Sequence, residues 1–408
     1  MIDLCDASIS RRRLLGSAGA LFAWSFAPRF AHAAGARDSR FVCVVLRGAL
    51  DGLSAVPALG DPDYAGLRTG IALSREGPAA ALPLDGFFYL HPAMPNLARL
   101  YKAGQASVIH AVATSYRSRS HFDGLDMLES GQPAPGRVGS GWLNRLVAAL
   151  PAGEPIGRAG ALGVGATPPL IVRGPAAVTG WAPQTLPRAD DDLIERVADL
   201  YAERDPVLAQ ALFRSVQLDR AAGAGGNPIK GGGPNTPAGK RAVAEGAARL
   251  IASENGPRIA AIALDGWDTH AAEGGATGRL AGLLAGLDAT LAGFEAGLAP
   301  RWRDTVVMVV TEFGRTARVN GTVGTDHGTA TVAFLVGGAV KGGRVIADWP
   351  GLTAAALHEG RDLRPTADLR AVAKGILADL FGVPAGILGR DVFPDSGGVK
   401  PMPGLLLA

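Results

Sequence analysis

A chain of 408 residues that is 48% hydrophobic and 19% charged can bury a large core, and its composition excludes a coiled coil or a disordered segment. With 57 Gly and 28 Pro it is rich in loops. Basic and acidic residues nearly balance at 40 to 37, so the chain lacks the electrostatic footprint of a nucleic-acid-binding protein.

The N-terminus reads as a targeting signal. Ser10-Arg11-Arg12-Arg13-Leu14-Leu15 precedes small and apolar residues from Gly16 to Ala27, and Ala31-His32-Ala33 supplies an A-x-A cleavage site. This is the pattern of twin-arginine export, with the export machinery as partner and the periplasm or another exported location as destination. The apolar run is shorter than the roughly 20 residues a membrane span needs, and no later stretch could span one. Removing residues 1–33 takes away four Arg and two Asp and leaves 36 basic against 35 acidic residues. Cys5 leaves as well, so Cys43 is the sole mature cysteine, expected as a buried thiol within apolar Phe41–Leu46.

Residues 34–408 are expected to form one α/β domain. Continuously apolar, β-branched runs predict strands at Phe41–Leu46, Ala106–Val112, Arg258–Leu264, Thr305–Val310 and Val332–Val336, in a sheet covered on both faces. Helical patterns alternate with them at Pro95–Ala103, Phe122–Ser130, Gly141–Leu150, Asp191–Ala221, Ala238–Ser253, Leu280–Gly297 and Leu369–Phe381. Asp190-Asp191-Asp192 falls where a helix begins, which favours capping over metal binding. Gly157 to Gly165 lacks both the G-x-G-x-x-G spacing and a Walker lysine, and reads as a Gly-rich connection. The Gly-rich stretch 222–236 has little to bury and reads as a flexible surface loop.

Chemistry-bearing residues gather where strands end. The first strand runs into Arg47-Gly48-Ala49-Leu50-Asp51-Gly52, and the third into Asp265-Gly-Trp-Asp268-Thr-His270. The fourth runs into Thr311-Glu312-Phe-Gly-Arg315, and Gly324-Thr-Asp326-His327-Gly328 follows shortly after. Ligand sites of open α/β sheets lie at the carboxyl ends of the strands, and Asp and His are ligands for zinc and related divalent ions. Ser118-Arg119-Ser120-His121-Phe122-Asp123 enters a helix, where Ser120 fits either a cap or a nucleophile activated by the helix N-terminus. His121 is expected as a neighbouring group, and Arg47, Arg119 and Arg315 offer guanidinium groups for an oxyanion.

Taken in order, the twin-arginine signal, Leu-Arg-Gly-x-x-Asp-Gly, Ser-His-Phe-Asp, Trp-Asp-Thr-His, Thr-Glu-Phe-Gly-Arg, Gly-Thr-Asp-His-Gly-Thr and Val340-Lys-Gly-Gly343 resemble the exported bacterial family called domain of unknown function 1501, over about residues 40–390. That family resembles the alkaline phosphatase and sulfatase superfamily. The resemblance implies an αβα sandwich with a mostly parallel central sheet and metals at the strand ends. It makes Asp51 the first-strand ligand, Ser120 the nucleophile, Asp268 and His270 a ligand pair, and His327 the last histidine ligand. It further implies one position formed by Asp268, His270 and His327, suited to zinc, and an adjacent one surrounded by Asp51, Glu312 and Ser120, suited to Mg, Mn or Ca; Asp326 is a further ligand for a rearranged pair. The pattern departs where Ser-Asp-His-Gly is usual: Thr311-Glu312-Phe313-Gly314 keeps a carboxylate, but Phe313 cannot ligate.

Two functions follow as expectations. One is an exported metal-dependent hydrolase of phosphate or sulfate esters, acting on a small-molecule ester or an envelope polymer. The other is a non-catalytic periplasmic or surface protein that keeps the fold for binding or assembly. For a metal centre, Asp51, Ser120, Asp268, His270, Glu312 and His327 must converge within one pocket.

Overall fold

Strand β1 (Arg40–Arg47) is buried at every position from Arg40 to Leu46. Val42, Val44 and Leu46 enter one hydrophobic core, and Phe41, Cys43 and Val45 enter a second. Successive side chains of a strand point to opposite faces, so β1 lies inside a sheet covered on both sides. Helices Pro95–Lys102, Pro237–Ala252 and Arg279–Gly297 build the first core, and helices Trp142–Ala149 and Leu369–Phe381 build the second. The result is an αβα sandwich.

The computed structural model describes residues 38–136, 139–150, 160–183, 191–223, 233 and 235–408. The expected export signal and most of the Gly-rich stretch lie outside the described residues. Among the described residues no helix is long and apolar enough to cross a membrane. A small hairpin, β2 (Leu82–Pro83) and β3 (Tyr89–Leu90), stands apart from the main sheet. The main sheet contains β1, β4 (Ala106–Ala113), β5 (Ala161–Val164), β6 (Val178–Trp181), β7 (Ile259–Asp265), β8 (Thr305–Thr311), β9 (Thr331–Val336), β10 (Arg344–Ile346) and β11 (Ala367–Asp368). Its order is β10-β4-β9-β8-β1-β7-β5-β6, with β11 also pairing with β4.

Every pairing in this sheet is parallel except those of β9, which runs against both β4 and β8. That reversal matters for the site. The ends of β1, β4, β7 and β8 and the start of β9 meet at one edge, so His327, just ahead of β9, joins residues that follow the other strands. The Gly157–Gly165 stretch contains β5, a strand paired on both sides; its expected role as a simple connection is corrected by that pairing. The long helix expected at Asp191–Ala221 is two helices, Asp191–Arg204 and Pro206–Ala221. Pro206 has no N–H to continue the first helix, and Asp205 caps the second through Val207 N and Leu208 N, both at 3.1 Å.

A buried charge network braces the strand ends from below. Asp51 caps the short helix Gly52–Ala55 by accepting from Ser54 N at 3.0 Å, while its other oxygen pairs with the buried guanidinium of Arg68. Arg68 also donates to Ser54 Oγ at 2.6 Å and to the carbonyls of Thr316 and Ala317 at 3.2 and 3.3 Å. Glu273, 3.7 Å from Arg68, accepts from Thr325 Oγ1 at 2.8 Å and from Thr269 Oγ1 at 3.1 Å. It thereby ties the loop after β7 to the loop before β9. Burial opposes the charge on Asp51, but Arg68 outweighs it and holds that carboxyl below the usual range. Burial, with the nearby Asp51 charge, pushes Glu273 up to about 8. The two carboxyls beside Arg68 are thus shifted in opposite directions, so the single guanidinium favours charge on Asp51 over charge on Glu273.

Breaking such a buried pair by removing one partner typically costs about 3–5 kcal/mol, and Arg68→Leu is expected to lose that much at pH 7. The Asp51 contribution is present above the unfolded carboxyl value of about 3.9 and fades as pH falls through the lower folded value. In the variant, burial is opposed only by the hydrogen bonds from Ser54 N and Glu273, which favours the protonated form of Asp51, so the deficit should narrow toward pH 4. Urea unfolding at the two pH values checks this, and an equal deficit at both would contradict it.

Candidate metal centre

The loop after β1 is pressed against the loop after β7. Gly48 has φ 119°, and a Cβ there would stand 2.5 Å from Asp268 N, so only glycine permits this approach. Gly48 N donates to Glu312 Oε1 at 2.8 Å, which joins the end of β1 to the end of β8. Glu312 is fully buried, and its other oxygen lies 2.8 Å from Thr311 Oγ1, whose single proton is shared with the Leu46 carbonyl at 2.7 Å.

His121 opens the helix His121–Ser130 and stacks on Phe313 with ring centroids 5.0 Å apart. Its Nδ1 donates to Glu312 Oε1 at 2.7 Å. In the neutral ring the lone pair is therefore on Nε2, a buried atom that makes no hydrogen bond, and it is this nitrogen that a bound cation would hold free of a proton. This contact is the first cause that raises the His121 pKa, with burial opposing it and the charges of Glu312 and Asp268 adding to it. His327 is fixed by a different partner. Its Nδ1 donates to the carbonyl of Arg119 at 2.8 Å, which again leaves Nε2 with the lone pair. Burial lowers the His327 pKa and keeps that ring neutral.

Both Nε2 atoms lie beside Asp268. Its Oδ1 lies 3.4 Å from His121 Nε2 and 3.4 Å from His327 Nε2. Two ligands about 2.0–2.1 Å from a tetrahedral zinc stand about 3.3 Å apart, so these separations match a shared ion. Facing ligand atoms of His121, Asp268 and His327 all lie within 4.8 Å of one another. The donor set of two imidazoles and one carboxylate, each imidazole held through its other nitrogen, fits zinc or a related divalent ion. Burial opposes charge on Asp268, but the hydrogen bond and charge of Arg315, with His270 and His121 adding, lower its pKa. Arg315 Nη1 reaches Asp268 Oδ1 at 2.7 Å, while its Nη2 is buried without a partner.

His270 stands on the open side. Its Nε2 is 3.0 Å from Asp268 Oδ1 and 2.9 Å from His327 Nε2, and its Nδ1 is 3.3 Å from Asp326 Oδ1. Asn320 donates to Asp326 at 3.0 Å, and that hydrogen bond is the main cause of the lowered Asp326 pKa. Ser120 occupies the N-cap position, but its side chain makes no capping bond. It lies between Arg119, whose carbonyl holds His327, and His121.

Asp268, His270, His327, Asp326 and Arg315 thus come together as a group, and His121 joins them as a facing imidazole. Glu312 stands behind His121 and accepts from Gly48 N and His121 Nδ1. Asp51 belongs to the Arg68 network, with one oxygen on Ser54 N and the other on Arg68. Arg47 pairs with Glu129 at 2.7 Å, and Arg119 pairs with Glu359 at 2.6 Å and Asp362 at 2.8 Å, so both guanidinium groups have carboxylate partners. The remaining core histidines, His91 and His110, each pair Nε2 with a backbone carbonyl at 3.0 Å. Sequence reading missed the loop 358–362, where Arg361 donates to the carbonyl of His327 at 2.5 Å. No local pattern marks such a contact across 34 positions.

Fold and site together define an αβα-sandwich protein with a preformed His/Asp cluster at its strand ends. The chain belongs to the family described as Protein of unknown function (DUF1501), whose model matches residues 38–387. No curated protein matches it significantly. Among solved structures it is similar to a 2-O GAG sulfatase, at 11% identity and TM-score 0.37 over 89% of this chain and 75% of that one. It is also similar to the phosphonate monoester hydrolase of Agrobacterium radiobacter, at 13% and 0.30 over 89% and 78%. A third match is a protein in the alkaline phosphatase superfamily from Vibrio parahaemolyticus, at 12% and 0.32 over 87% and 70%.

If Glu312 acts from behind His121, Glu312→Gln should weaken zinc binding about 10–100-fold, as loss of an outer-shell partner does. His121→Ala, which removes a facing donor, should abolish binding at the same zinc concentration. Competition against a chelator measures both, and equal losses would make Glu312 a direct ligand.

Proposed function

We propose that this protein is an exported, metal-dependent hydrolase of phosphate or sulfate esters, with one divalent ion held by His121, Asp268 and His327. The observation that carries the reading is the pair of 3.4 Å separations from Asp268 Oδ1 to two imidazole nitrogens whose partner nitrogens are already committed. Such an ion, zinc by donor set, would lower the pKa of an attacking oxygen and neutralise charge developing on the transferred group. A second ion is not part of this reading, because Arg68 already neutralises Asp51 and Glu312 already accepts from Gly48 N and His121 Nδ1.

The chain's own residues supply the remaining work. Glu312 and the Arg119 carbonyl keep the imidazole lone pairs directed inward. Arg315 steadies Asp268 and offers its free Nη2–H to an anionic group. The Ser120 hydroxyl, left free of capping at the helix N-terminus, is the nucleophile: its oxygen forms the new bond to phosphorus or sulfur as the ester oxygen leaves. His270, paired with Asp326 on the open side, takes up the proton that Ser120 loses and passes it to the leaving oxygen. Water then cleaves the serine ester and restores the hydroxyl. The twin-arginine signal supports folding before export to the periplasm, and the substrate is a small-molecule ester or an ester-bearing envelope polymer.

One observation favours a second reading, a non-catalytic periplasmic binding protein: Arg68 neutralises Asp51, the carboxylate that the resemblance assigns to a metal. That reading predicts envelope binding undiminished by Ser120→Ala and His327→Ala.

The hydrolase reading is tested with zinc-loaded protein and a panel of aryl phosphate and sulfate esters, with and without chelator. Turnover should be chelator-sensitive and abolished by Ser120→Ala with zinc content intact. His270→Ala should keep its zinc and slow turnover about 10²–10⁴-fold, the usual contribution of a proton-transferring group. Chelator-insensitive turnover, or none with any ester, would contradict the proposal.

A further inference from the structure

Arg119 holds an unusual backbone conformation beside the site. Its φ is 61°, in the left-handed region that residues other than glycine rarely enter. Its side chain is gripped by a distant loop: Nε donates to Asp362 Oδ2 at 2.9 Å and Nη2 to Glu359 Oε2 at 2.6 Å. Asp362 is fully buried, and its backbone is pinned to His358 by hydrogen bonds of 2.8 and 3.0 Å. The same loop also holds His327, because Arg361 Nη2 donates to the His327 carbonyl at 2.5 Å. Loop 358–362 therefore anchors both residues that form one hydrogen bond, the 2.8 Å contact from His327 Nδ1 to the Arg119 carbonyl.

We propose that Arg119 is a positioning residue: its ion pairs with Asp362 and Glu359 hold its backbone left-handed, which aims its carbonyl at His327 Nδ1 and so directs the Nε2 lone pair toward Asp268. Without those ion pairs only the 3.3 Å contact from Ser120 N to Tyr116 Oη and the His327 contact hold this turn, and the arginine is expected to relax to negative φ and turn its carbonyl away. His327 would then lose the acceptor that fixes its tautomer. The same turn sets Ser120 at the head of its helix, so one ion-paired residue orients a ligand and the nucleophile. The consequence for metal affinity rests on the one-ion reading above, whereas the tautomer claim stands without it.

Glycine separates backbone from side chain, because it adopts φ near 61° unaided. Full-length protein carrying Arg119→Ala or Arg119→Gly is compared with wild type by two measurements: zinc affinity by chelator competition, and the His327 tautomer in zinc-free protein by nitrogen NMR. Wild-type His327 should be a single tautomer protonated at Nδ1. Arg119→Ala should give a mixed tautomer and about 10–100-fold weaker zinc binding, the range for losing an outer-shell partner. Arg119→Gly should recover the single tautomer and most of the affinity. An unchanged Arg119→Ala protein, or an Arg119→Gly protein as impaired as Arg119→Ala, would overturn the proposal. Wild-type protein that binds no zinc would instead overturn the metal reading, and the zinc-free tautomers would still decide the role of Arg119.

Discussion

A neutral imidazole presents one lone pair, and the partner of its other nitrogen decides where that lone pair points. At this site two imidazoles are fixed in that way by different devices. A buried carboxylate, Glu312, takes Nδ1–H of His121, and a backbone carbonyl, that of Arg119, takes Nδ1–H of His327. Both Nε2 atoms are thereby committed to the space beside Asp268. Most of the surrounding architecture can be understood as keeping those two hydrogen bonds in place, from the close approach at Gly48 to the antiparallel strand that delivers His327 to the edge.

Charge is arranged with the same economy. Three acids near the strand ends are fully buried or nearly so, and each has a specific answer: Arg68 for Asp51, the hydroxyls of Ser54, Thr269 and Thr325 for Glu273, and the N–H groups of Gly48 and His121 for Glu312. Asp268, though paired with Arg315, remains half-open and faces imidazoles on its other side, which leaves it able to take a further cation there. Glu273 links this interior to the loops above through Thr269 and Thr325.

Much of the fold was legible in the sequence because its strands are buried on both faces. Continuous apolar runs located β1, β4, β7, β8 and β9 to within a residue or so at either end. β5 was hidden by its glycines, and the break at Pro206 by helical periodicity on both sides. At the site, Asp268, His270, Asp326 and His327 stood out because each falls beside the end of a strand. The roles of His121 and Glu312 did not, because sequence places both near the edge without revealing which side chain faces inward. The Arg68 and Arg119 pairings were beyond local reading altogether: their partners lie 17 and 243 positions away and carry no spacing pattern.

The central claim is that one ion is held by His121, Asp268 and His327, with Asp51 outside its reach. Anomalous diffraction at the zinc edge, from crystals of protein folded with zinc, measures this directly. The account predicts a single strong peak about 2.0–2.2 Å from His121 Nε2, His327 Nε2 and an Asp268 oxygen, with Arg68 still paired to Asp51. A second peak between Asp51 and Glu312, or a zinc site that does not include His121, would contradict it.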